Sequence, residues 1–541
     1  MSFEVVEKDL LGRIGKLHTK RGTVQTPLFL PVVNPMFQVI SPKELAEEYD
    51  CRAVIANAYL LRKNFGEAVV KQGVHSFLGF GHVVVTDSGA YQILKYGDIE
   101  ATQPEIIAYE EAIDTDVAVI LDLPTGGLAD RGKAEQTVNE TLRRAKNSLG
   151  LRSRRDILWV GPIQGGKYLD LVEYSACETA KLPFDIYALG SPTQILERYQ
   201  FDCLVNMILA AKKNLPVDKP FHLFGAGHPL MMAFAVALGC DIFDSAAYAI
   251  YAREGKYMTV QGTQRLEQLR YFPCSCEVCS SYTQKEAIAL PRGQKTTFLA
   301  RHNLSVCFEE IKNIKQAIYE GRLWELLELR PRCHPSLLRA FKALSEHTYL
   351  LEEYSPITHT RGLLFYDSLS LSRPEVTRHR LRIKSWSPVR GRVLLFLPEP
   401  SSKPFHRSRE MRRILGIFNE KLLENIGVCV YSAPFGVTPL ELDEVYPLSQ
   451  FEVARPFDYE TKAYVAGQVA EYVNSKWQFY EGVVVYAAGE LGEEVAYMVE
   501  RMCRSSCVTI VRVTEHPWGG ANLRMLADTV ANVAHAPKDT F

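Results

Sequence analysis

Through the first 250 residues, short β-branched and apolar runs alternate with longer amphipathic stretches. The runs at 27–33, 53–60, 82–86, 117–121, 158–163, 184–189, 221–224 and 241–243 predict strands. Between them, 104–113, 133–149, 194–215 and 228–238 carry the spacing of helices with one apolar face. Eight β units with helices in most of the connections point to a parallel (β/α)8 barrel of the TIM type, although a doubly wound open sheet would give a similar periodicity. Further on, strands at 393–397, 428–431, 482–487 and 508–513 alternate with helices at 409–425, 460–475 and 493–501, which predicts a smaller C-terminal α/β domain with its own core.

The polar residues that end the predicted strands favour the barrel, because active sites of that fold form at the C-terminal rim from several strand ends. Asp87 follows the third strand, Asp122 the fourth, Gln164-Gly165-Gly166 the fifth, Gly190 the sixth, Gly225-Ala226-Gly227 the seventh and Asp244-Ser245 the eighth. One aspartate after a strand is usually a helix cap or a turn former. Three carboxylates, an amide and three glycine turns at one mouth form a site. A divalent-metal hydrolase would generally add several histidines at strand ends. This rim offers His228 and little else, and His228 is placed to cap the helix that follows it. Without a catalytic metal, two aspartates across a barrel mouth suit substitution at an anomeric carbon, one attacking the sugar and the other moving a proton at the departing base. A third carboxylate can accept from the N–H groups of a guanine-like edge.

Composition narrows the setting without choosing the chemistry. The 541 residues are 47% hydrophobic and 23% charged, with a net charge of -1 that neither demands nor excludes a nucleic-acid partner. Twelve cysteines, mostly scattered singly, indicate a reducing, cytoplasmic compartment rather than a disulfide framework. No secretory signal and no apolar run of membrane-spanning length is read, so no membrane partner is expected. The exception to the scatter is Cys274-Ser275-Cys276-Glu277-Val278-Cys279, followed by His302. Three thiolates and one imidazole are the ligand set of a closed, tetrahedral, structural Zn2+ site.

Several of these stretches together resemble the tRNA-guanine transglycosylases. They are Thr86-Asp87-Ser88-Gly89-Ala90-Tyr91-Gln92, Leu121-Asp122-Leu123-Pro124-Thr125, Phe224-Gly225-Ala226-Gly227-His228-Pro229, Phe243-Asp244-Ser245-Ala246-Ala247-Tyr248 and the cysteine cluster. The likeness covers roughly residues 1–345 and is greatest to the archaeal branch. It implies exchange of guanine at position 15 of the tRNA D-arm for 7-cyano-7-deazaguanine, the precursor of archaeosine. Asp244 would then be the nucleophile at ribose C1′ and Asp87 the general acid/base. Asp122, Gln164, Tyr91 and Gly190 would hold the base, and Cys274, Cys276, Cys279 and His302 one structural Zn2+ per chain. Two positions depart from the family pattern: the stacking aromatic is Tyr91 where Phe is common, and Gly190-Ser191-Pro192-Thr193 stands where Gly-Ala-Val-Val-Pro is usual. A catalytically silent tRNA-binding subunit, or exchange of a different 7-deazaguanine at another tRNA position, are the alternatives; retention of Asp87, Asp122 and Asp244 argues against the first.

The organisation expected is a catalytic barrel with its zinc-binding insertion over 1–345, a basic connecting segment over 346–391, a C-terminal α/β domain over 392–515 and a tail over 516–541 with no PUA domain apparent. The family likeness implies a homodimer, and a separate PUA-bearing protein as a possible partner. Within 371–413, basic residues including Arg378, Arg380, Arg382 and Arg390 far outnumber acidic ones and are candidates for phosphate contact, against the common reading of a solvated face.

Overall fold

The computed structural model describes residues 2–96, 100–127, 129–386, 391–503 and 507–535. Arg390 of the basic run and the end of the tail lie outside the described residues. The chain divides into two compact units, Met1–Leu344 and Ser345–Phe541.

In the first unit, eight parallel strands follow one another around a closed barrel: Leu28–Val33, Ala53–Asn57, Val83–Asp87, Val117–Val119, Leu158–Ile163, Ile186–Leu189, Phe221–Leu223 and Ile242–Ser245. The eighth pairs with the first, Asp244 opposite Leu30, which removes the open-sheet alternative. One side-chain parity of these strands fills the interior, with Leu30, Ile55, Val85, Val119, Val160 and Ile186 buried in one cluster. An antiparallel sheet that the pattern did not foresee, Phe3–Asp9, Gly12–Thr19 and Gly22–Thr26, contributes Phe3, Leu17 and Val24 to that same cluster. It covers the end of the barrel where the strands begin. Its first strand buries only its two end residues, so it carries little alternating apolar signal.

Aspartates do opposite work at the two ends of the barrel. Asp116, Asp185 and Asp241 each directly precede a strand and accept the backbone N–H of Val84 at 2.8 Å, Trp159 at 3.0 Å and Phe221 at 2.8 Å. Asp241 also receives both arms of the Arg13 guanidinium at 2.8 Å. These staple neighbouring strands together. The aspartates at the other end are left for the cavity.

Two predicted elements stop early for local reasons. The strand expected over 53–60 ends at Asn57, whose Oδ1 accepts the Leu60 N–H at 2.8 Å and starts the helix Ala58–Phe65. The helix expected over 194–215 is two helices, Thr193–Glu197 and Phe201–Lys212, because Tyr199 between them takes a left-handed φ of 56°.

The second unit is a five-stranded sheet in the order Gly436–Pro439, Ile426–Ser432, Val393–Pro398, Gly482–Ala488, Val508–Val513, all parallel except the first. Alternate residues of one strand feed opposite cores. Leu394 and Phe396 pack with helices Tyr459–Lys476 and Gly492–Met502; Leu395 and Leu397 pack with Arg409–Leu415 and Gly520–His535. The helix expected over 409–425 ends at Leu415 and is followed by a short turn of helix, Glu420–Leu423, capped by Asn419.

The basic stretch is less available than its composition implies. Arg373 is almost wholly buried beside Glu375. Arg378 donates to Glu352 Oε1 at 2.6 Å, Pro356 O at 2.7 Å and Ser355 O at 3.1 Å, tying the helix Pro374–Ser385 to the residues around Thr348–Tyr354. Arg380 lies over the Tyr349 ring, and only Arg382 of the three arginines is exposed. Arg378 is therefore a structural tie and not a phosphate ligand. Truncating it leaves several inward acceptors unpaired, so Arg378→Ala should lower the stability of this unit by about 2–3 kcal/mol in a denaturant titration. A loss below about 0.5 kcal/mol would return it to the solvated face. Among the described residues no helix is long and apolar enough to cross a membrane.

Candidate active site and metal centre

The rim residues read from the sequence converge. Asp87, Tyr91, Asp122, Gln164, Gly190 and Asp244 all line one cavity of about 1830 Å³ at the C-terminal ends of the strands. Two neighbours that the sequence reading did not single out, Asn57 and His222, bond directly to the carboxylates, and Ser191 holds Gln164.

Asp244 sits in the last barrel strand, and its Oδ1 accepts the Gly225 N–H at 2.9 Å and meets His222 Nε2 at 2.9 Å. Two glycines of the seventh-strand turn make this fit. Gly225 has φ +65°, open to glycine at little cost. A Cβ on Gly227 would come within 2.6 Å of Ser245 Cβ, so that residue must be glycine for the turn to lie against the Asp244 backbone. His228 behaves as the cap expected of it: Nδ1 accepts the Leu230 N–H at 3.2 Å, Nε2 meets Thr263 Oγ1 at 2.8 Å, and burial pushes its pKa down to about 4.

Asp87 ends the third strand opposite Asn57, whose Nδ2 reaches Asp87 Oδ2 at 3.2 Å and Gln92 Oε1 at 2.9 Å. Burial pushes the Asp87 carboxyl up to about 7, and the nearby charges of Asp244 and then Asp122 add to the rise. A group with that value exchanges protons near neutrality, as a general acid and base must. The same shift has a cost. The folded state holds this proton more tightly than the unfolded chain, so the stabilisation is complete below the ordinary value of 3.8 and is lost as pH rises through about 7. Asp87→Asn should therefore melt a few degrees higher than the unaltered protein at pH 8, on the order of 2 kcal/mol, and no higher at pH 4. Equal melting temperatures at both pH values would contradict the shift.

Asp122 is 5% exposed, and burial raises its carboxyl to about 6. Its Oδ2 accepts Gln164 Nε2 at 2.6 Å, while Gln164 Oε1 accepts the Thr125 N–H at 3.0 Å and the Ser191 hydroxyl at 2.9 Å. Ser191 Oγ in turn accepts the Gly126 N–H at 3.0 Å, buckling three rim loops together. Gly190 makes room for this: a Cβ there would fall within 2.2 Å of Gln164 Nε2. Tyr91 is half exposed and lines the same cavity, where its ring can cover a flat ligand.

Beside the barrel, the hairpin Lys256–Thr259 and Gly262–Arg265 leads through the cysteine loop to the long helix Arg292–Glu320, which carries His302. The Sγ atoms of Cys274, Cys276 and Cys279 and one ring nitrogen of His302 lie within 4.8 Å of one another, a group that could hold a metal ion. The imidazole is prepared for it. Its Nε2 meets Met258 O at 2.8 Å and so carries the proton, leaving Nδ1 as a lone-pair donor 3.4 Å from Cys279 Sγ and 3.6 Å from Cys276 Sγ. Tyr257 stacks on the ring at 3.5 Å. A sulfur and a nitrogen bound to one tetrahedral zinc stand roughly 3.6 Å apart, close to the 3.6 and 3.4 Å from Nδ1 to Cys276 and Cys279.

A closed (β/α)8 barrel that gathers three carboxylates at its rim, two of them of raised proton affinity, with a Cys3His cluster at its side, is the frame of an enzyme. Comparison with known proteins gives that class its family. Residues 9–336 match the family described as queuine tRNA-ribosyltransferase, and residues 376–530 match a domain of unknown function. Among curated relatives named tRNA-guanine(15) transglycosylase, that of Pyrobaculum aerophilum is 43% identical over 85% of this chain and 93% of its own. That of Methanocaldococcus jannaschii is 42% identical over 85% of this chain and 70% of its own, and that of Sulfolobus acidocaldarius 39% over 88% and 93%. The chain belongs to the tRNA-guanine transglycosylase family of transferases, as its motifs led one to expect.

Proposed function

We propose that this chain exchanges the guanine at position 15 of tRNA for 7-cyano-7-deazaguanine through a covalent intermediate on Asp244. The position is the one in the names of the similar relatives. The observation that carries the chemistry is the unequal pair at the mouth: Asp244, held by one oxygen, and Asp87, with a carboxyl near 7. Asp244 attacks ribose C1′; the C1′–N9 bond breaks and its electron pair leaves with guanine, which takes the proton of Asp87. The incoming base then gives its N9 proton back to Asp87 and attacks C1′, releasing the Asp244 carboxylate. Two displacements on one carbon retain its configuration, as in retaining glycosidases.

Asp122 is the acceptor for the N1–H and N2–H edge of the base. With its carboxyl near 6, it is largely ionised at neutral pH. Gln164 addresses the carbonyl side and fixes Asp122, while Tyr91 covers the ring. The cavity exceeds the roughly 300–1,000 Å³ usual for small-molecule sites, which suits a nucleotide splayed out of a polymer together with the sugar it is attached to. Cys274, Cys276, Cys279 and His302 would hold Zn2+, whose contribution is to cross-link the hairpin, the cysteine loop and the long helix.

The test is incorporation of labelled guanine and labelled 7-cyano-7-deazaguanine into an unmodified tRNA transcript, beside a transcript with adenine at position 15. Incorporation of both bases that requires the guanine at 15 is expected. Guanine exchange without entry of the cyano base would sink the substrate assignment, and incorporation into the altered transcript would sink the site.

A further inference from the structure

We propose that His222 is the positioning residue of the nucleophile, pinning Asp244 Oδ1 so that Oδ2 is the oxygen that attacks. The inference rests on the exchange reaction proposed above and goes beyond it by naming the attacking atom and the group that selects it. His222 lies in the seventh barrel strand, is 1% exposed and points inward. The small cavity of about 10 Å³ beneath its ring is otherwise lined only by leucine, valine and isoleucine. Its ring leans on Phe224, with centroids 4.5 Å apart. An imidazole in such a layer gives up its hydration, and the polar partner it gains is Asp244, 2.9 Å from Nε2. A valine or leucine would continue the layer without that cost. The polar residue is accounted for by what it does at its upper edge.

That edge has a definite geometry. Oδ1 of Asp244 is shared between His222 Nε2 and the Gly225 N–H, both at 2.9 Å. Among the described residues no hydrogen bond is made to Oδ2, and Asp244 faces the cavity. Two donors on one oxygen stop the carboxylate from rotating about Cβ–Cγ and leave the lone pairs of the other oxygen directed into the space where the ribose enters. The covalent bond forms between Oδ2 and C1′ as C1′–N9 breaks, and Oδ1 keeps both donors throughout. The backbone N–H cannot be removed by substitution, so the side chain is where selection of the oxygen can be tested.

His222→Phe keeps the ring and removes the donor; His222→Gln places an amide N–H near the position of Nε2. The Phe variant should exchange guanine on the order of 10²-fold more slowly in kcat, with KM for tRNA unchanged within about twofold, since the loss is of orientation and not of binding. The Gln variant should recover most of the rate, and the yield of tRNA–protein adduct on a denaturing gel should follow the same order. A Phe variant at the unaltered kcat, or a Gln variant as slow as Phe, overturns the proposal. Crystals of His222→Phe give a readout that needs no activity: Asp244 rotated out of its place supports it, and Asp244 unmoved overturns it. If the unaltered protein exchanges no base at all, the functional reading fails, and the crystallographic result still decides whether His222 positions Asp244.

Discussion

Asp244→Asn should abolish base exchange, by at least 10³–10⁴-fold in single-turnover incorporation, while tRNA binding and thermal stability hardly change. The amide oxygen can still accept from Gly225 and His222, so the side chain should remain seated on the two donors 2.9 Å away. What is lost is the negative charge and the nucleophilic oxygen, and with them the covalent adduct. Asp87→Asn should also be slow, but for another reason: Asp244 can still attack, and the leaving guanine lacks its proton. The two variants are separated by trapping. An adduct that forms slowly with Asp87→Asn and never with Asp244→Asn assigns the roles; an adduct with Asp244→Asn, or exchange within tenfold of the unaltered rate, would remove Asp244 from the mechanism.

Losing the metal centre should have the second large effect, on stability first and activity afterwards. Cys279→Ser should reduce bound zinc, read by atomic spectroscopy, from one per chain to a small fraction and lower the melting temperature of the first unit by more than about 10 °C. Structural zinc sites bind with about 10–16 kcal/mol in small isolated modules, and part of that reports on folding here. The route to the active site is short. Asn303, next to His302, donates to Tyr248 O and Lys256 O, each at 3.2 Å, and accepts the Met258 N–H at 2.9 Å. Tyr248 hydroxyl reaches Val32 O at 3.0 Å in the first barrel strand, beside the strand that carries Asp244. Exchange should therefore fall along with zinc content, with KM for tRNA rising as the long helix loosens. A Ser variant with normal melting and no zinc would mean that the four side chains pack adequately without a metal.

The Cys3His cluster and the rim aspartates were readable for the same reason: each is marked by a local pattern. Cys274, Cys276 and Cys279 declare a chelate by spacing alone, and Asp87, Asp122 and Asp244 declare themselves by standing just after apolar runs. The antiparallel sheet Phe3–Asp9, Gly12–Thr19 and Gly22–Thr26 escaped because its first strand is exposed over most of its length. Arg378 misled because charge is legible in a sequence and burial is not: composition placed it on a basic face, and the fold turned it inward onto Glu352 and Pro356.

The sequence by itself determined the number and order of the barrel strands, the identity of the carboxylates at their ends and the members of the Cys3His cluster, because these follow from apolar periodicity, turn chemistry and residue spacing. Tertiary structure alone decided what each carboxylate became. His222 meets Asp244 across 22 positions, Asn57 meets Asp87 across 30 and Gln164 meets Asp122 across 42. No local pattern marks such pairs, since they arise only when neighbouring strands pair and bring their ends side by side. Closure also buries Asp87 near two other acids and moves its carboxyl to about 7, whereas Asp241, staples to Phe221 and Arg13, is spent on holding the opposite end of the barrel together. The residue type is the same in both places; desolvation and the neighbours supplied by the fold raise the proton affinity of one and make the other a strut.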